Sequence, residues 1–145
     1  MNSEASENKE IIREACQETA TVLVASVGAY IDLIENIDQQ ISSDNGDYHA
    51  VIQMVSDLGK ITSQTNVASF GLLKNFEQNL GKDFVPPRSI FFILGLISSS
   101  CFLIKDASSF EELGKIPLAN PNLIMEILEK PLIEKWLETV FKSEN

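Results

Sequence analysis

Histidine is nearly missing from this chain: His49 is the one example in 145 residues, and cysteine occurs only twice, as Cys16 and Cys101. That scarcity removes most metal and catalytic chemistry. No C-x-x-C, H-E-x-x-H or E-x-x-H spacing is present, so the familiar metal motifs lack their ligands. The length suits a globin-sized protein, but no histidine lies in the second half to hold a haem iron. G-x-S-x-G is absent, and His49, beside Asp47 and Tyr48, reads as a surface residue at a helix start. The seven glycines are scattered, so no glycine-rich phosphate loop forms. No catalytic residue, metal site or cofactor is assigned, and the chain reads as a non-enzyme.

Cations are missing from one long stretch. No lysine or arginine occurs between Arg13 and Lys60. Residues 1–48 hold ten acids against two bases, residues 49–110 hold four against five, and the formal net charge is −10. Such a surface repels nucleic-acid phosphates and anionic lipid head groups, and it attracts basic partners. The opening MNSEASENKE is polar and acidic, unlike a secretory or transit peptide. Both cysteines sit in apolar helical stretches, as free thiols do in a reducing compartment, which points to the cytoplasm.

Against these absences stands one long uncharged run. Ser89–Ile104, SIFFILGLISSSCFLI, has sixteen residues between Arg88 and Lys105. Pro86-Pro87 cannot continue a helix but can open one, so the pattern predicts a helix over about 87–105. The run is shorter than the roughly 17–25 residues that cross a bilayer, and it carries four serines. It is read as a core helix rather than a membrane span. A helix apolar on every face must be surrounded by other segments.

The rest of the chain is patterned to surround it. Cys16, Ala20, Leu23, Val27, Tyr30, Ile34, Ile37 and Ile41 recur with a 3.5-residue period, the seam of a long helix from about Glu10 to Ser42. Ser42–Asp47 is turn chemistry without the spaced ligands and closing Glu of a calcium loop. A second helical region covers about 47–80, and the weak formers Thr62–Asn66 predict a kink or break there, a chance that Gly59 and Gly71 add to. Ser108-x-x-Glu111 and Ser109-x-x-Glu112 fit capping boxes for a short helix. Asn120-Pro121 caps and opens another helix, Pro131 interrupts it, and Leu132–Phe141 resumes. Gly28 and Gly95, inside apolar segments, are expected to permit close helix crossings. The fold class is all-α: a single-domain bundle of five to seven helices packed around the central apolar helix. Residues 1–8 form a flexible acidic tail and 9–145 one helical domain.

Amphipathic helices around one apolar helix are also the plan of Bcl-2-like proteins, including compact viral ones, and of globin-like sensors. The stretch Phe92–Ser100, FILGLISSS, is similar to the central helix of the viral group. The likeness covers that helix alone, and no stretch such as N-W-G-R occurs.

The expected function is that of a non-enzymatic acidic interaction protein: an inhibitor, immunity protein, chaperone or adaptor for a basic protein partner. Its binding residues would be Glu14, Glu18, Asp32, Glu35 and Asp38, which fall off the apolar seam. The alternative is a small-molecule or lipid-binding sensor with an apolar pocket or groove beside Phe91, Phe92 and Phe102. Self-association through the Cys16–Ile41 seam is a third expectation, since a clean heptad seam can also zip two copies.

Overall fold

The computed structural model describes residues 3–42 and 48–142. Among them are seven α-helices and no strand: α1 (Ser3–Ile41), α2 (Tyr48–Gly71), α3 (Leu73–Leu80), α4 (Arg88–Asp106), α5 (Phe110–Leu113), α6 (Pro121–Leu128) and α7 (Pro131–Lys142). The protein is an all-α helical bundle. The turn expected over residues 42–47 falls mostly outside the described residues.

α1 obeys its seam. Cys16, Ala20, Leu23, Val27, Tyr30 and Ile37 are at most 2% exposed. They pack inside the chain, where α1 meets α2, α3, α4, α6 and α7. Of the other two seam residues, Ile34 is partly buried and Ile41 is 43% exposed. The helix begins at Ser3, so Ser3–Asn8, expected as a tail, forms its first turns.

The second helical region breaks later than expected. Thr62–Asn66 stays helical, and the buried Thr62 hydroxyl is satisfied within its own helix by donating to Leu58 O at 2.9 Å and Gly59 O at 3.2 Å. The break falls at Leu72, whose amide is shared between Ala68 O and Ser69 O at 3.1 Å each. α3 ends at Gly81, whose φ of +94° is a left-handed setting that disfavours any side chain.

α4 lies at the centre, within a residue of its expected bounds. Ile90, Ile93, Leu94, Ile97, Cys101 and Ile104 are at most 1% exposed. Burial of each large aliphatic side chain contributes roughly 1.5–3 kcal/mol of transfer free energy. The helix is not enclosed on every side, however: Phe92 and Phe102 are 55% and 52% exposed. Arg88, Phe92, Gly95, Ser99 and Phe102 follow helical spacing along one outward stripe. By length and composition, α1 and the segment around α4 could each cross a membrane; here both pack against other helices.

α2 runs antiparallel to α4. At one end the Tyr48 hydroxyl donates to Ile104 O and Ala107 O at 2.6 and 2.5 Å. At the other, Phe70 meets Phe91 edge to face. Midway the helices touch at Gly59, where an added Cβ would lie 2.9 Å from Cys101 Cβ. Gly59 is thus the glycine that permits a close crossing, in place of the two expected: Gly28 faces open space, and the nearest atom to a Cβ at Gly95 is Asn66 Nδ2 at 3.8 Å.

The C-terminal third is tied down by polar anchors. Ser109 caps α5, accepting from Glu112 N at 3.2 Å, while the Glu112 carboxylate accepts from both the amide and the hydroxyl of Ser108. Those bonds hold the Glu112 carboxyl below its ordinary pKa. Asn120 caps α6 through Asn122 N at 2.9 Å, with Pro121 opening the helix. Ala119 is held at both backbone groups: its carbonyl accepts from Tyr30 Oη at 2.7 Å, and its amide donates to Ser100 Oγ at 3.1 Å. Trp136 Nε1 and Cys16 Sγ both donate to Phe84 O, at 3.0 and 3.4 Å.

Candidate functional site

The outward face of α1 is set by the seam on its other side. Glu14, Glu18, Thr21, Ala25, Gly28, Asp32 and Glu35 are all exposed, and their spacing places them along one stripe. The expected acidic residues are not one continuous surface. Glu14 and Glu18 form one group, Asp32 and Glu35 another, about 21 Å further along at 1.5 Å per residue. Between them lie the small residues Thr21, Ala25 and Gly28. Asp38 is exposed but stands about a third of a turn off this stripe. None of the five carboxylates makes an ion pair among the described residues, where Arg13 bonds Glu10 at 3.5 Å and Lys142 meets Glu138 at 4.0 Å.

Glu18 borders a hollow between α1 and α2. Its floor carries the buried Thr19 and Ser69 hydroxyls, hydrogen-bonded to each other at 2.7 Å. Thr19 also donates to Ala15 O at 3.0 Å, so the pair is satisfied locally.

The three phenylalanines expected around an apolar pocket do not share one. Phe102 walls a hollow of about 260 Å³ between α2 and α4, with Val55, Gly59 and Cys101 below and Lys60 and Lys105 at its edge. Phe91 belongs to a separate hollow with Phe70, Lys74 and Arg88. Phe92 stands exposed between the two. Phe92 and Phe102 are more than half exposed, whereas Phe91 is partly buried and packs edge to face on Phe70 of α2. Sequence patterning missed this because periodicity reports which residues are apolar, and not how many helices are available to cover them.

Reactive groups are few. Cys16 and Cys101 are buried free thiols, and burial pushes them up to about 12 and about 11. Neither is held as a thiolate nucleophile near neutral pH. Among the described residues no three His, Cys, Asp or Glu side chains are grouped so as to hold a metal ion. His49 is exposed at the start of α2.

No family model, curated protein or solved structure matches this chain.

Proposed function

We propose that this protein is a non-enzymatic interaction domain whose outward α1 face docks on a basic protein partner, in the manner of an inhibitor, immunity protein, chaperone or adaptor. One observation carries the reading: two carboxylate pairs, Glu14/Glu18 and Asp32/Glu35, sit about two helical turns either side of a small-residue centre on one uninterrupted helix, and none of the four makes an ion pair among the described residues. Unneutralised charge of this kind accelerates encounter with a basic surface. Thr21, Ala25 and Gly28 let a partner approach the helix backbone closely. The two buried thiols suit a reducing compartment such as the cytoplasm.

The test uses wild type and the quadruple variant E14Q/E18Q/D32N/E35Q as baits in native lysate. A partner retained by the first and lost by the second is then purified. Its association rate should fall in the variant and fall with salt in the wild type. A partner captured equally by both baits at an unchanged rate refutes the α1 face.

A small-molecule reading keeps some support from the hollow at Phe102. Its roughly 260 Å³ is below the usual 300–1,000 Å³ of ligand pockets, whereas the hollow at Phe91, about 680 Å³, lies within that range. Native mass spectrometry of protein purified from cells would reveal a retained apolar ligand.

A further inference from the structure

The side of the fold opened by α2 and α4 carries four exposed cations, with the exposed carboxylates Asp57, Glu77 and Asp106 near them in sequence. Ser56, Lys60, Ser63, Val67 and Phe70 recur at helical spacing along α2, and Lys74 extends the row into α3. Antiparallel to it runs the α4 row of Arg88, Phe92, Gly95, Ser99 and Phe102. A hollow opens between the rows at each end. One, about 260 Å³, pairs Phe102 with Lys60 and Lys105. The other, about 680 Å³, pairs Phe70 and Phe91 with Lys74 and Arg88, and Glu77 is the carboxylate on its lining. Val67, 72% exposed, and Phe92 stand apolar and uncovered in the stretch between. The two cation pairs are separated by about 21–25 Å along the helices. None of the four cations makes an ion pair among the described residues.

We propose that this groove is a docking site for an acidic amphipathic helix of a partner protein. The helix would be some four to five turns long, with an apolar stripe laid between the rows and a carboxylate toward each end. One carboxylate would meet Lys60 and Lys105, the other Lys74 and Arg88.

Charge selects this occupant. A second copy of the chain docked by two-fold symmetry would set cation pair against cation pair, whichever way the helices run. An anionic membrane would meet the same cations, but it offers a flat surface to a groove and must approach a chain of net charge −10. A helix with acids at both ends matches the sign, the spacing and the exposed aromatics at once. The proposal does not depend on the α1 reading.

The test is selection of a displayed library of randomised helical peptides, about five turns long, on the full-length protein at about 0.15 M salt. Selected peptides are then measured by fluorescence anisotropy against wild type and against K60E/K105E, K74E/R88E and F102A, all at exposed positions, with circular dichroism confirming that each variant is folded. The expected peptides carry apolar residues at i, i+3 or i+4, and i+7, with Asp or Glu toward both ends. Each charge-reversed pair should weaken binding about tenfold, F102A should weaken it several-fold, and Lys-for-Glu peptides should regain affinity for the charge-reversed proteins. The E14Q/E18Q/D32N/E35Q variant should bind these peptides like wild type, which separates this site from the α1 face. Selection of nothing, selection of neutral or basic peptides, or binding indifferent to both charge reversals overturns the proposal. So does a wild-type dimer dispersed by K60E/K105E, which would assign the face to self-association. Tighter binding to phosphatidylserine vesicles than to any selected peptide overturns it in favour of a membrane.

Discussion

Alanine at Gly59 should destabilise this protein, whereas alanine at Gly28 or Gly95 should stabilise it. All three glycines lie inside helices, so each substitution gains about 1 kcal/mol of helix preference. What differs is the space for a methyl group. At Gly28 nothing lies within 4 Å of the new Cβ, and at Gly95 the nearest atom is in ordinary contact at 3.8 Å. At Gly59 the new Cβ sits 2.9 Å from Cys101 Cβ. That atom is fixed to the α4 backbone and cannot swing away, so α2 and α4 must separate. Overpacking of this kind costs about 1–3 kcal/mol. Set against the propensity gain, a cost in the middle of that range leaves a net loss of about 1 kcal/mol. For a chain of this size, 1 kcal/mol moves Tm by about 3 °C. G28A and G95A should therefore melt about 3 °C above wild type and G59A about 3 °C below it. Thermal and urea unfolding followed by circular dichroism measures both, and an unchanged urea slope shows that the unfolded states are comparable. If G59A proves as stabilising as G28A, the two helices do not cross where Gly59 meets Cys101, and the reasoning fails.

Other outcomes follow from the same structure. Y30F removes the hydroxyl that donates to Ala119 O at 2.7 Å, and Y48F removes the one shared by Ile104 O and Ala107 O; each should cost about 1 kcal/mol in urea unfolding, and no loss in either would contradict those bonds. Cys16 and Cys101, raised to about 12 and about 11 from an ordinary 9.0, stay protonated in the folded chain while the unfolded chain ionises. Their contribution is therefore intact below pH 9 and lost as pH climbs toward 11, by up to about 1.4 kcal/mol per pH unit per thiol. The slope should flatten in C16A and C101A, and a thiol reagent at pH 8 should label neither cysteine before denaturant is added. The quadruple variant E14Q/E18Q/D32N/E35Q, which takes the net charge from −10 to −6, should unfold within about 0.5 kcal/mol of wild type. A larger loss would mean those carboxylates hold the fold rather than face water. G81A should cost about 1 kcal/mol or more, because its φ of +94° strains any residue with a Cβ.

Legibility in the sequence followed the range of the physics involved. The α4 bounds, the Asn120-Pro121 start and the Ser109 cap were readable because proline geometry and capping act within four residues. The α1 seam was readable because burial repeats with the helical period. The break at Leu72 was readable only in part: Gly71 beside it is a weak helix former, but the weak formers Thr62–Asn66 point elsewhere. The choice of Gly59 over Gly28 and Gly95 depends on the register of α2 against α4, which no single helix contains. Of the five expected acidic residues, four fall on one stripe because 100° per residue places them there, while Asp38 lies off it. The three phenylalanines are close in sequence, but a helix turns Phe92 outward while Phe91 packs on Phe70 of α2 and Phe102 walls a different hollow.

The central claim is that α4 is buried along one face and bare along the opposite one. Hydroxyl-radical footprinting of the native protein, read by mass spectrometry, tests this with no substitution and with one residue type as its own control. Phe92 and Phe102, each more than half exposed, should be oxidised at least several-fold faster than Phe76, which is fully buried. Rates for Phe92 and Phe102 as slow as that of Phe76 would mean that something covers the stripe, and the account of this face would be wrong.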